Sequence, residues 1–204
     1  MTTQISIREF LEKLASDSHT PGGGSVAAVA GAMGAALVCM VGRLTRGENL
    51  QEELRELVEK AVAEGIELET LVKLDIAAFD DVMDAIGLPK TTQEEKDVRK
   101  KAIERAMVKA TCSPLRIMEH SLEVMKLAKK VAEIGNKHAV SDAGVAASMA
   151  RSAIESGYFN VLINRGSLKD QSFIEDVDKR AAAVLSVMDD LHREIISTVK
   201  GRIG

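Results

Sequence analysis

Asp75 is a carboxylate set into an apolar helical stripe. Leu68, Leu71 and Val72 stand seven, four and three residues before it; Ala78, Phe79 and Val82 stand three, four and seven after. Residues at these offsets share one helix face. If that face packs inward, Asp75 goes in with it. A buried carboxylate must be hydrogen-bonded, paired or protonated. Desolvation raises its pKa toward the range of a general acid or base. The alternative is a carboxylate at the margin of the stripe, reaching solvent or a lysine, a description that fits Asp80, Asp81 and Asp84 better. Asp142 is a second candidate. Its ordinary role is a helix N-cap, yet Val145, Met149 and Ser152 continue from it along one face and would aim it into a bundle. Asn160 and Asn164 stand one turn apart around Val161-Leu162-Ile163. Their amides either cap neighbouring backbone or hydrogen-bond a ligand. Gly157 in the same helix would admit a close neighbour, at a cost of about 1 kcal/mol against Ala.

The elements that must position these groups are organised around residues 20–46. Gly22, Gly23 and Gly24 precede Ser25, a natural N-cap, and the run from Ser25 to Gly42 carries no charge. Three glycines let the backbone bend and let a ligand approach it. A helix start adds unpaired N–H groups and a partial positive charge. A helix apolar all round is buried in a core or in lipid. As a membrane span the run is slightly short and rich in Ala and Gly. As a dinucleotide fingerprint, Gly22, Gly24 and Ala27 fit G-x-G-x-x-A, but the preceding segment reads as helix and no strand-turn-helix unit is visible. The reading adopted is a buried central helix, with Ala28, Gly31, Ala32, Ala35 and Ala36 allowing close approach.

The rest of the chain reads as helices. An amphipathic helix over 5–16 carries Ile7, Phe10, Leu11 and Leu14 on one face. Arg43 and Arg46 close the central helix, and Gly47-Glu48-Asn49 breaks the chain. A long helix spans 50–86 by its three- and four-residue apolar spacing, and Gly87-Leu88-Pro89-Lys90 stops it. Thr92 with Glu95 forms a capping box for a helix over 93–112. Pro114 breaks or kinks the chain, and a further helix covers 115–134, ended by Gly135-Asn136. Ser141 or Asp142 caps a helix to about 164, and 170–200 form the last, closed by Gly201. The expected fold is all-α: a multihelical bundle around a buried Ala/Gly-rich helix, in one domain over 1–204.

Composition agrees. The chain has 204 residues and only 2% aromatics, which favours helices over sheets. Its formal charge of -4, from 27 basic and 31 acidic residues, gives no sign of a nucleic-acid binder. Cys39 and Cys112 are far apart and are expected as free thiols in a reducing compartment. The N-terminus has no signal-peptide pattern, so a cytoplasmic location is expected. His19, His120, His138 and His192 show no metal spacing, and no metal site is expected. His19 lies nearest the glycines; His120 and His192 are expected at the surface.

Three stretches in order carry a resemblance. Pro21-Gly22-Gly23-Gly24-Ser25-Val26-Ala27-Ala28 resembles the opening block of the formiminotransferase-cyclodeaminase C-terminal family. Asp75-Ile76-Ala77-Ala78-Phe79 with Leu88-Pro89-Lys90 resembles its second block. Ser141-Asp142-Ala143-Gly144-Val145-Ala146-Ala147, with Gly157 and Asn160-Val161-Leu162-Ile163-Asn164, resembles its third. The resemblance implies an all-α dimer that acts on a tetrahydrofolate derivative, with no cofactor beyond that substrate and neither nucleic acid nor membrane as partner. At this length a separate formiminotransferase domain is not expected. The activity implied is that of a methenyltetrahydrofolate cyclohydrolase or, alternatively, a formiminotetrahydrofolate cyclodeaminase. The resemblance further implies catalytic roles for Asp75 and, assisting it, Asp142. It implies substrate binding by Pro21, Gly22, Gly23, Gly24, Ser25, Phe79, Asn160 and Asn164. Lys90, Arg43 or Arg46 would meet the folate's glutamate carboxylates. The rival class is a non-enzymatic helical scaffold. What separates the two is whether Asp75, Asp142 and the glycines converge on one pocket.

Overall fold

A computed structural model describes residues 5–45 and 51–204. Arg46, the Gly47-Glu48-Asn49 break and the first residue of the long helix lie outside the described residues. Among the described residues six α-helices follow in order: α1 Ile7–Leu14, α2 Gly23–Leu44, α3 Gln51–Gly87, α4 Gln93–Ile134, α5 Val140–Arg165 and α6 Gln171–Ile203. A short 3₁₀ turn, Lys137–Ala139, leads into α5. Among the described residues there is no strand.

The central helix is where the small residues placed it. α3, α4 and α5 all pack on α2, and Ala28, Ala35, Val38 and Val41 are fully covered. The glycines set the spacing. A Cβ added at Gly31 would stand 2.7 Å from Ser121 Oγ and 3.1 Å from both Leu68 methyls; one at Gly34 would stand 3.0 Å from the Ala146 carbonyl. Gly31→Val is therefore expected to destabilise the fold by roughly 1–3 kcal/mol, overpacking outweighing the better helix propensity of any non-glycine residue. Gly201, with nothing within 4 Å of an added Cβ, is the control: Gly201→Ala is expected to stabilise slightly. Denaturant midpoints of the two variants check both signs.

The covering of α2 is incomplete. Val26, Met33, Ala36 and Met40 form an exposed stripe, although the sequence predicts burial on every side. α2 is long and apolar enough to cross a membrane, yet 61% of its most apolar window is buried against the other helices. α1 begins with the Ser6/Glu9 capping box and buries none of its residues; Ile7 is 80% exposed.

Four predicted boundaries move. Helix α2 starts two residues before Ser25, with Gly22 as N-cap, because the Ser25 hydroxyl is engaged elsewhere. The Thr92/Glu95 capping box forms as predicted, but Pro114 does not divide the helix it opens. α4 runs through it as one helix of 42 residues. Neither Ser141 nor Asp142 caps α5. The 3₁₀ turn, held by Asn136 Oδ1 accepting from the His138 N–H at 2.9 Å, delivers the chain already helical, so the N-cap falls at Ala139. At the C-terminus α6 continues through Gly201 to Ile203.

Candidate active site

The start of α2, the middle of α3, the middle of α4 and the end of α5 enclose a cleft of about 320 Å³. The Asp75 face of α3 turns inward as its pattern predicts: Leu68, Leu71 and Val72 are buried on it. Asp80, Asp81 and Asp84 are exposed, and Asp81 accepts from Lys109 at 2.7 Å. Asp75 itself is half-buried in the cleft wall, directly over the first turn of α2. The Ser25 hydroxyl, fully buried, donates to Asp75 Oδ2 at 2.9 Å. A Cβ at Gly24 would lie 2.7 Å from the Asp75 carboxyl carbon and closer still to Oδ1. Only glycine lets that carboxyl rest on the helix start.

Two influences act on the Asp75 proton. Burial raises its pKa above the ordinary carboxylate range; hydrogen bonds from the Ser25 side chain and backbone pull it down and do not cancel the rise. Among the described residues, Asp75 is the one carboxylate in the cleft lining, and the lining contains no Lys or Arg. Its second titratable group is His19, whose ring packs against Phe79 with centroids 5.9 Å apart and planes tilted by 37°. Asn160 and Asn164 line the α5 side, and Asn160 packs beside Gly23. Val82, Met107 and Ile163 supply apolar wall.

The site residues expected from sequence divide cleanly. Gly22, Gly23, Gly24, Asp75, Phe79, Asn160 and Asn164 converge on the cleft. Ser25 stands behind Asp75, and Pro21 is buried beside the glycines. Asp142 does not join them. It lies in the first turn of α5, eighteen residues before Asn160, which is roughly 27 Å along the helix. On its face Val145 and Ser152 are exposed, while Asp142 itself and Met149 are half-buried. Arg43 sits at the far end of α2, roughly 30 Å from Gly23. Lys90 is exposed beyond the end of α3 and does not line the cleft. His120 and His192, expected at the surface, are half-buried, His120 against Glu64 at 2.7 Å.

Met107 and Ala110 of α4 were not legible as site residues, because apolar residues at helical spacing look like core. The one available signal for Ala110 was Pro114, four residues on. Among the described residues, no three His, Cys, Asp or Glu side chains gather at metal-ligating distance.

The molecule is thus an all-α bundle whose central helix begins under a half-buried, hydrogen-bonded aspartate. A family model described as formiminotransferase-cyclodeaminase matches residues 6–183, and the chain belongs to that family. It is 41% identical over 207 residues to a methenyltetrahydrofolate cyclohydrolase of Methylorubrum extorquens, covering all of both chains. It is 36% identical to the formimidoyltransferase-cyclodeaminase of Mus musculus, covering 88% of this chain and 34% of that protein. The chain thus spans about a third of that relative. The crystal structure of a formiminotetrahydrofolate cyclodeaminase from Thermotoga maritima superimposes over the full length of both chains with a TM-score of 0.89 at 27% identity.

Proposed function

We propose that this protein hydrolyses 5,10-methenyltetrahydrofolate to 10-formyltetrahydrofolate. The observation that carries the reading is Asp75, a lone carboxylate in a cleft without basic side chains. The full-length similarity to a cyclohydrolase supports it. The carbon bridging the two substrate nitrogens is cationic. A carboxylate in low dielectric stabilises such a cation more strongly than it could in water. Water adds to that carbon and its proton passes to Asp75. The bond to one of those nitrogens then breaks and that nitrogen takes the proton back. As the C=O forms, the remaining hydroxyl proton passes to Asp75 and on to solvent, and the formyl group stays on the other nitrogen. Ser25 holds the carboxylate in place throughout. The N–H groups at the start of α2 face the substrate, and Phe79 packs on the ring system. Asp142 is too distant to share the proton, so the acid/base work is assigned to Asp75 alone. Lys90 is the basic group we assign to the folate's glutamate carboxylates, since it follows the same end of α3 as Phe79 and Val82.

A second reading, formiminotetrahydrofolate cyclodeaminase, is favoured by the named activity of the Thermotoga maritima neighbour. There a substrate nitrogen attacks the formimino carbon, the ring closes and ammonia leaves. The same carboxylate would move the protons. Spectrophotometry separates the two. Loss of the methenyl absorbance above the uncatalysed rate establishes the hydrolase. Appearance of that absorbance from 5-formiminotetrahydrofolate, with ammonia, establishes the cyclodeaminase. Silence in both assays removes the enzymatic reading in favour of a helical scaffold.

The working unit is proposed to be a homodimer in the cytoplasm. The exposed stripe of Val26, Met33 and Met40 on α2, beside Val62 and Ile66 of α3, is the face we assign to the second copy. Met33→Lys is expected to convert the dimer to monomer in sedimentation, because a charge in the middle of such a face stays unpaired on burial. Unchanged sedimentation would place the contact elsewhere.

A further inference from the structure

Pro114 sits inside α4. A proline within a helix has no N–H, and the carbonyl four residues earlier loses its partner. Here that carbonyl belongs to Ala110, which is buried and lines the cleft. A buried carbonyl left unpaired costs about as much as a lost hydrogen bond. The partner comes from another helix: Asn164 Nδ2 donates to Ala110 O at 2.6 Å. Helix α5 comes close enough because Gly157, seven residues before Asn164, has no side chain. A Cβ there would lie 3.1 Å from the Pro114 carbonyl and 2.9 Å from Met118 Cγ. Residues seven apart share a helix face, so the glycine contact and the amide contact belong to one seam.

This bond settles the orientation of the Asn164 amide. A carbonyl oxygen only accepts, so the NH₂ must face Ala110 and Oδ1 is the atom left over. Asn164 itself lines the cleft. Asn160 behaves in parallel, its Nδ2 donating to Ser156 O at 2.8 Å. On the α5 wall of the cleft, these two bonds leave the amide oxygens over.

We infer that Pro114 is a positioning residue for substrate recognition: by leaving the Ala110 carbonyl unpaired, it anchors the Asn164 NH₂ and presents Asn164 Oδ1 to the cleft as a fixed acceptor. The substrate edge that meets this acceptor must carry an N–H donor, as the aminopyrimidinone edge of a pterin does. The inference rests on the reading that the cleft binds the folate.

A double-mutant cycle tests it. Alanine at position 114 supplies the missing N–H, which pairs with Ala110 O inside α4 and releases Asn164. Pro114→Ala is expected to lower kcat/KM on 5,10-methenyltetrahydrofolate about tenfold, chiefly through KM. Asn164→Ala is expected to do the same, and the double variant to be no worse than Asn164→Ala alone. Thermal unfolding gives an independent arm. Asn164→Ala lowers Tm in the wild-type background, where Ala110 O is then orphaned, and lowers it much less in the Pro114→Ala background. Asn164→Asp, which aims a carboxylate at that carbonyl, shows a larger version of the same rescue. Equal drops in Tm in both backgrounds, or full kcat/KM in Pro114→Ala, would overturn the inference. If the wild-type protein turns over no folate, the folate reading has failed, and the comparison of Tm drops alone decides for or against Pro114.

Discussion

Asp75→Asn is expected to lower kcat/KM by about a hundred- to ten-thousand-fold, the range for removing a general acid/base, while leaving the protein folded. Asparagine keeps the shape of the side chain and an oxygen that can accept from the Ser25 hydroxyl, but it carries neither the charge nor the exchangeable proton. In the wild type, burial raises the Asp75 pKa. The acid limb of the kcat/KM profile is therefore expected above the ordinary carboxylate range, because water attack needs the ionised form. The stability effect has the opposite sense. A carboxyl with a folded-state pKa above its unfolded value binds protons more tightly in the folded state. That contribution is complete below the ordinary aspartate value of 3.8 and is lost as pH rises through the raised folded value. At neutral pH the ionised Asp75 is thus a cost to the fold, and Asp75→Asn is expected to unfold at or above the wild-type temperature. Activity and Tm measured from pH 4 to pH 8 on both proteins check the two signs together. A variant with wild-type activity would end the central role given to Asp75.

Gly24→Ala carries the second large effect. The methyl group would lie 2.7 Å from the Asp75 carboxyl carbon, inside the distance at which atoms can sit together. Either Asp75 swings off the helix start, breaking its bond to Ser25, or α2 and α3 move apart. Overpacking of this kind costs about 1–3 kcal/mol, and the displaced carboxylate no longer faces the reacting carbon. A misplacement of about 1 Å can cost a hundredfold in rate, so kcat is expected to fall by at least that factor. Gly22→Ala is the control, since an added Cβ there meets only the His19 carbonyl at 3.6 Å; it is expected to retain the fold. Wild-type kcat in Gly24→Ala would show that the contact between Gly24 and Asp75 does not matter for turnover.

Much of this was visible in the chain itself. The three- and four-residue apolar spacing of α3 identified both the helix and the inward face that carries Asp75, because periodicity and burial are linked by helix geometry. The Thr92/Glu95 capping box formed where its residues stand. The small residues of α2 marked the helix that the others pack on, since only glycine and alanine allow such close approach. Asp142 shows the limit of the same reasoning. Val145, Met149 and Ser152 repeat on its face as a core stripe would, yet Val145 and Ser152 are exposed and Met149 is only half-buried. One helix cannot say which side its neighbours will cover.

What the sequence determined alone was local: the helical character of its segments, the Thr92/Glu95 capping box, a carboxylate on an apolar face, and three blocks in the order of one family. What only the tertiary structure decided was convergence. Gly24 meets Asp75 across fifty-one residues of chain, and Asn164 meets Ala110 across fifty-four, and neither pairing has a sequence period to announce it. Pro114 is the clearest case. Propensity alone would end a helix there, but packing against α5 supplies the hydrogen bond that the proline removes, and α4 continues. The orphaned carbonyl was implicit in the sequence; the amide that satisfies it became known only when the helices were brought together.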